Sequence, residues 1–164
     1  MRLSVSNYEV LSANAVRRAL RAGETNVAPR VSDLDALAAS TGGKVEIESL
    51  EEGRESVILQ QLISAAVLTV FREFTAGISL AEVVTAFEEG VVAHVGEDIA
   101  STELLAILES IPALAGPVAT LTSGEKNPAV VASAVEFVLE GLHLTRRLNK
   151  DASGNSSTYR SRMK

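Results

Sequence analysis

Two groupings of carboxylates with histidine are spaced as chemistry would require. Glu136, Glu140 and His143 follow one another at intervals of four and three residues, so a helix would carry them on one side, and His94 shortly precedes Glu97 and Asp98. Glu140-Gly-Leu-His143 has the i, i+3 spacing that carboxylate-bridged di-iron bundles use. Such a centre needs two of these motifs and two further glutamates from facing helices, and His94 has the order reversed. Ion-paired surface histidines are the commoner cause of this spacing, so no metal ligand is assigned. Ser40-Thr-Gly-Gly-Lys44 and Thr122-Ser-Gly-Glu-Lys126 place glycine near lysine, but neither has the G-x-x-x-x-G-K-[ST] spacing whose amides cradle a nucleotide's phosphates. Both are expected to be turns that stop helices. No catalytic triad can be singled out among so many serines, and the absence of cysteine excludes thiol nucleophiles, thiolate metal sites and disulfides.

Arginine is the other residue type with a chemical role to weigh. Arg17, Arg18 and Arg21 are expected on the side of the first helix away from Leu11 and Ala15, where charges on an outer helical face are the default. Arg2 is less ordinary, because it precedes the predicted cap of that helix and would sit near an N-terminus, where anions bind.

The elements that must position these residues are legible from periodicity. Ser6-Asn-Tyr-Glu9 has the form of a capping box, predicting a helix from about Asn7 to Ala22 that buries Leu11, Ala15, Ala19 and Ala22, with Val16 and Leu20 beside them and Gly23 as its stop. Ser32 is expected to cap a short helix ending at Thr41-Gly-Gly43. Lys44-Val-Glu-Ile-Glu48 alternates like a very short strand but has no evident partner, so no sheet is built on it. From Arg54 to Phe74 apolar residues surround most of the circumference, including Ile58, Leu62, Ala65, Leu59, Ile63, Ala66 and Val70, which predicts the central buried helix. Ser79-Leu-Ala-Glu82 opens a helix expected to run to Val95, and Ser101 caps another with Leu104, Leu108 and Ile111 inward. Residues 112–128 read as a loop. Pro128 starts a last helix with Val131, Val135, Val138 and Leu142 as its stripe, running to about Leu148. The polar, glycine- and serine-rich end is expected to be disordered.

A chain of 164 residues has room for one domain, or two small helical ones. Its net charge of −6 is unevenly spread: residues 1–30 sum to +3, residues 31–145 to −14 and residues 146–164 to +5. An acidic middle between basic ends argues against a nucleic-acid partner and allows head-to-tail pairing between subunits. The weakly charged run Ser56 to Phe71 falls short of the eighteen or so apolar residues of a membrane span, and no apolar signal-peptide core follows Met1. A cytoplasmic protein without a membrane partner is expected.

The stretch RLSVSNYEVLSANAVRRALRAGE, followed by VAPRVSDLDALAAST and GKVEIE, resembles the helical lid of AAA+ ATPases of the magnesium-chelatase and MoxR-type branch. The later stretch PAVVASAVEFVLEGLHLTRRLNKD is similar to the C-terminal region of the actinobacterial members of that branch. The similarity runs from Arg2 to about Asp151, with residues 54–111 alike mainly in pattern. It implies that Arg2 is the second sensor, an arginine reaching the terminal phosphate of ATP, with Arg17 and Arg18 as interface candidates. ATP and Mg2+ would belong to the intact parent protein, because the phosphate loop, the acidic magnesium motif, the first sensor and the arginine finger of such ATPases lie N-terminal to the lid. None is expected to be held by this chain alone.

The expected fold is therefore all-α, with about six helices: a lid-like region over 1–50, a helical extension over 51–150 and a disordered basic tail over 151–164. The expected function is the lid and assembly portion of a magnesium-chelatase-like ATPase, which remodels a partner or loads a metal. Its implied partners are the ATPase core or a neighbouring ATPase subunit, and a von Willebrand factor A type subunit. The alternatives are a stand-alone helical module that regulates a complete ATPase and, more distantly, a metal-dependent bundle using the Glu/His pairs.

Overall fold

A computed structural model describes residues 2–41 and 55–162. They are not all-α. Seven α-helices accompany a three-stranded antiparallel sheet, giving a mixed α and β fold. In chain order the elements are α1 (Arg2–Arg21), a 3₁₀ turn (Val31–Asp35), α2 (Ala36–Thr41), α3 (Glu55–Phe74), α4 (Ala81–Glu88), β1 (Ala93–Gly96), α5 (Ser101–Ser110), a 3₁₀ turn (Pro112–Leu114), α6 (Ala115–Leu121), α7 (Pro128–Leu144), β2 (Leu148–Ser153) and β3 (Ser156–Ser161).

The central helix is α7. Asn127 caps it by accepting the Ala129 N–H at 3.0 Å, and Pro128 stands in the first turn, where no backbone donor is needed. The predicted stripe of Val131, Val135, Val138 and Leu142 is buried, and Leu139, Glu136 and Glu140 are buried too. Helices α3, α5 and α6 and strand β2 pack around it. Each large apolar side chain so enclosed contributes about 1.5–3 kcal/mol. Gly141 lets α3 come close, since a methyl group there would overlap the ring of Phe71, which meets Phe137 edge to face at 5.6 Å.

Helix α3 does not take the central place expected of it. Only Leu59 and Phe71 are buried, while Leu62 is 60% and Phe74 61% exposed. Its 20 residues are long and apolar enough to cross a membrane by length and composition, where the sequence count stopped at sixteen. A helix apolar on most sides can serve either setting, and periodicity alone does not tell them apart.

The sheet explains the other departures. Strand β3 lies between β1 and β2, pairing Ala93 with Tyr159 on one side and Lys150 with Tyr159 on the other. Residues 151–161 of the segment expected to be a disordered tail thus belong to the hairpin β2–β3. Its turn is Gly154-Asn155, with Gly154 at φ +56°, a conformation glycine adopts at the first position of a tight hairpin. Tyr159 and Leu148 anchor it in the core. Helix α4 stops at Glu88 rather than reaching Val95, because Gly90 at φ +103° turns the chain into β1. The predicted loop over 112–128 contains α6, whose Pro117 is tolerated in the first helical turn. Lys44 to Glu48 and Gly42-Gly43 lie outside the described residues.

At the N-terminus, α1 begins at Arg2, so Ser6 and Glu9 are within the helix and do not cap it. Its buried face is Asn14, Ala15, Arg18 and Ala19; Val16 and Leu20 face solvent. The inward stripe keeps Ala15 and Ala19 of the expected face and takes in Asn14 and Arg18, the latter expected on the outer side.

Candidate functional site

Arg18 is 2% exposed and its guanidinium forks onto the fully buried Asp33, with Nε and Nη2 donating at 3.1–3.4 Å. Asp33 Oδ2 also accepts the backbone N–H of Arg30 at 2.8 Å, and Oδ1 accepts from Asn14 at 3.0 Å. This is why Val31–Asp35 winds as a 3₁₀ turn: its third residue is fixed at both ends of its carboxylate. Arg30 is equally buried. It donates to the Ile99 carbonyl at 2.8 Å and to Ser101 Oγ at 2.5 Å, and stands 3.7 Å from the Glu136 carboxylate. Glu24 Oε1 accepts the Ser101 N–H and thereby caps the start of α5, while its Oε2 lies 3.6 and 3.7 Å from the guanidiniums of Arg18 and Arg30. Five charged side chains from α1, its following turn and α7 thus form one desolvated network. Burial lowers the Arg30 pKa, with the Arg18 charge adding to the effect, although an arginine remains charged throughout the working range.

Glu136 joins this network to a cavity of about 390 Å³. Its Oε2 accepts the Ser32 N–H at 2.9 Å and Oε1 the Ser32 hydroxyl at 3.3 Å. Burial pushes the Glu136 carboxyl above its ordinary value, and the Ser32 bonds and Arg30 offset only part of that. Asp35, Glu97 and Glu140 also line the cavity, with Gln60, Lys150 and Tyr159. Although Asp35 meets solvent at its outer edge, partial burial raises its pKa, and Lys150 opposes the rise. Glu140 Oε2 accepts from Tyr159 at 2.5 Å and from Lys150 at 2.8 Å. Burial, then the Glu140 charge, holds the Tyr159 phenol protonated far into the alkaline range.

The structure separates the residues whose spacing suggested a metal. Glu140 turns to Tyr159 and Lys150, Glu136 to Ser32 and Arg30, and His143 Nδ1 pairs with the Leu148 carbonyl at 3.3 Å. His94 pairs with Thr158 at 3.0 Å. Three or more His, Asp or Glu side chains converge on no common point among the described residues. Of the interface candidates, Arg17 lies on the exposed side of α1 and donates to Asn14, whereas Arg18 is enclosed and turned toward Asp33. Arg2 is the first residue of α1. Four carboxylates face a single lysine in the cavity, a balance that disfavours an anion there.

Asp33, Arg30 and Glu24 are site residues that the sequence did not single out. Their types were visible, but an ion-pair network that spans Arg18 to Glu136 leaves no local period. No family model matches the chain, and no curated protein or solved structure matches it either.

Proposed function

We propose that the chain is the lid and assembly portion of a magnesium-chelatase-like AAA+ ATPase, in which ATP-driven lid motion remodels a partner or loads a metal. The reading starts from the resemblance of residues 2–48 and 128–151. One observation supports it above others: those two stretches lock together, through Arg30 and Ser32 on Glu136 and through the Ser133 hydroxyl on the Pro29 carbonyl at 2.6 Å. The bonded residues are 104 positions apart. A lid that works by moving as a body needs such a joint, because buried charge pairs permit few alternative arrangements.

In this reading Arg2 opens α1 where the macrodipole favours an anion, and reaches the terminal phosphate of an ATP held with Mg2+ by the nucleotide-binding core. Arg17, on the exposed face, is available to that core or to a neighbouring subunit. The partner class is the von Willebrand factor A type subunit that the family resemblance implies.

The test has two arms. Calorimetric titration of the purified chain with MgATP is expected to show no micromolar binding. Joined behind the nucleotide-binding core of an ATPase of that branch, the Arg2→Ala variant is expected to lose at least about tenfold in turnover. Micromolar binding by the chain alone, or undiminished turnover, overturns the reading. If no phosphate loop is encoded upstream and a complete ATPase is encoded elsewhere, the stand-alone regulator is favoured instead.

A further inference from the structure

We infer that α3 is a self-association helix, which pairs antiparallel with α3 of a second copy of this chain. This rests on the exposed side of α3 and does not depend on the ATPase reading.

The outward side of α3 carries Glu55, Ile58, Leu62, Ala65, Thr69 and Arg72, at successive spacings of three, four, three, four and three residues. That is the 3.5-residue seam of helices packed side by side. Leu62 is the most prominent, at 60% exposed; Ala65 and Thr69 are also exposed and Ile58 is half-buried. The Thr69 hydroxyl donates back to the Ala65 carbonyl at 2.9 Å, so the residue presents its methyl group rather than an unsatisfied donor.

The seam is symmetric in size and charge. A two-fold axis beside the midpoint of Leu62 and Ala65 sets Leu62 against Ala65 of the second copy, Ile58 against Thr69, and Glu55 against Arg72. Each large side chain meets a small one, and each end of the pair, about 26 Å apart, closes with opposite charges. Glu55 and Arg72 are exposed, and neither forms an ion pair within the described residues. A partner of arbitrary sequence would not need this reversal symmetry; a second copy does. Insertion into a bilayer would desolvate Gln60, Gln61 and Arg72 and strip the opposite face of α3 from α7, where Phe71 is seated beside Gly141.

Sedimentation equilibrium of the purified chain is the test. The wild type is expected to show a reversible dimer, and Leu62→Glu to weaken it at least tenfold while leaving the thermal melt of the monomer in place. Glu55→Arg sets like charges together at both ends and is expected to weaken the dimer several-fold. The double variant Glu55→Arg/Arg72→Glu is expected to restore it, an outcome that a merely sticky surface would not give. A wild-type monomer up to about 100 µM overturns the inference. So do a dimer indifferent to Leu62→Glu, a charge reversal that the second reversal fails to rescue, and flotation of a monomer with phosphatidylcholine–phosphatidylglycerol vesicles.

Discussion

Arg18 and Asp33 meet through three contacts of 3.1 to 3.4 Å with both side chains out of water, one from α1 and the other from the turn that leads to α2. Around this pair the N-terminal segment is tied to α5 and α7 by charge rather than by apolar packing. Removing one partner leaves the other buried and uncompensated. Arg18→Ala is therefore expected to lose about 3–5 kcal/mol in urea denaturation. Arg17→Ala, one position away but exposed, is expected to change stability by less than about 0.5 kcal/mol. Equal effects would contradict the assignment of Arg18 to the interior.

Glu136 gives the fold a pH dependence of definite sign. Its folded pKa is raised, so between the ordinary glutamate value and the raised one the folded state binds more protons than the unfolded state, and this group's contribution falls as pH rises. Glu136→Gln keeps an acceptor for Ser32 and cannot ionise. Its melting temperature relative to wild type is expected to improve as pH rises through that window; parallel curves would show that the carboxyl is not strained there.

Gly141 is expected to resist enlargement. Gly141→Ala drives a methyl group into the ring of Phe71, for an expected loss of about 1–3 kcal/mol, and Phe71→Leu should recover part of it. Additive losses in the thermal melts of the single and double variants would exclude this contact as the cause.

Tyr159 fixes the hairpin to α7 through Glu140. Tyr159→Phe leaves the ring in place and removes only the hydroxyl bond, for an expected loss of about 1–3 kcal/mol. Hydrogen exchange of β3 amides is expected to quicken more than that of α5 amides; equal changes would mean that the bond serves the whole core.

What was legible in the sequence tracks how local the signal was. Val131, Val135, Val138 and Leu142 repeat at helical spacing after Pro128, and α7 starts and buries its stripe as read, but it stops at Leu144 instead of reaching Leu148, because the chain turns through Arg146 at φ +62° into β2. The hairpin was missed because Asp151 to Ser157 is polar on both faces, so composition suggested disorder; the usable signs were the Gly154-Asn155 turn and the single aromatic at 159. In α3 the apolar residues were counted correctly but assigned one environment, since periodicity does not distinguish a face awaiting a partner from a face turned inward. Arg18 was turned outward for the same reason that arginines usually are, and only Asp33, fifteen residues on, reverses that default.

Because β3 is the middle strand, β1 has no neighbour until residues 156–161 exist. On the ribosome, β1 is complete at Gly96 but must wait while the next sixty or so residues are added, roughly 3–12 s at ordinary elongation rates. During that interval β1 has an open edge, and the Leu148 and Tyr159 sites of the core are vacant. A pause in translation between those points would leave that edge and those apolar sites exposed to pairing with other chains.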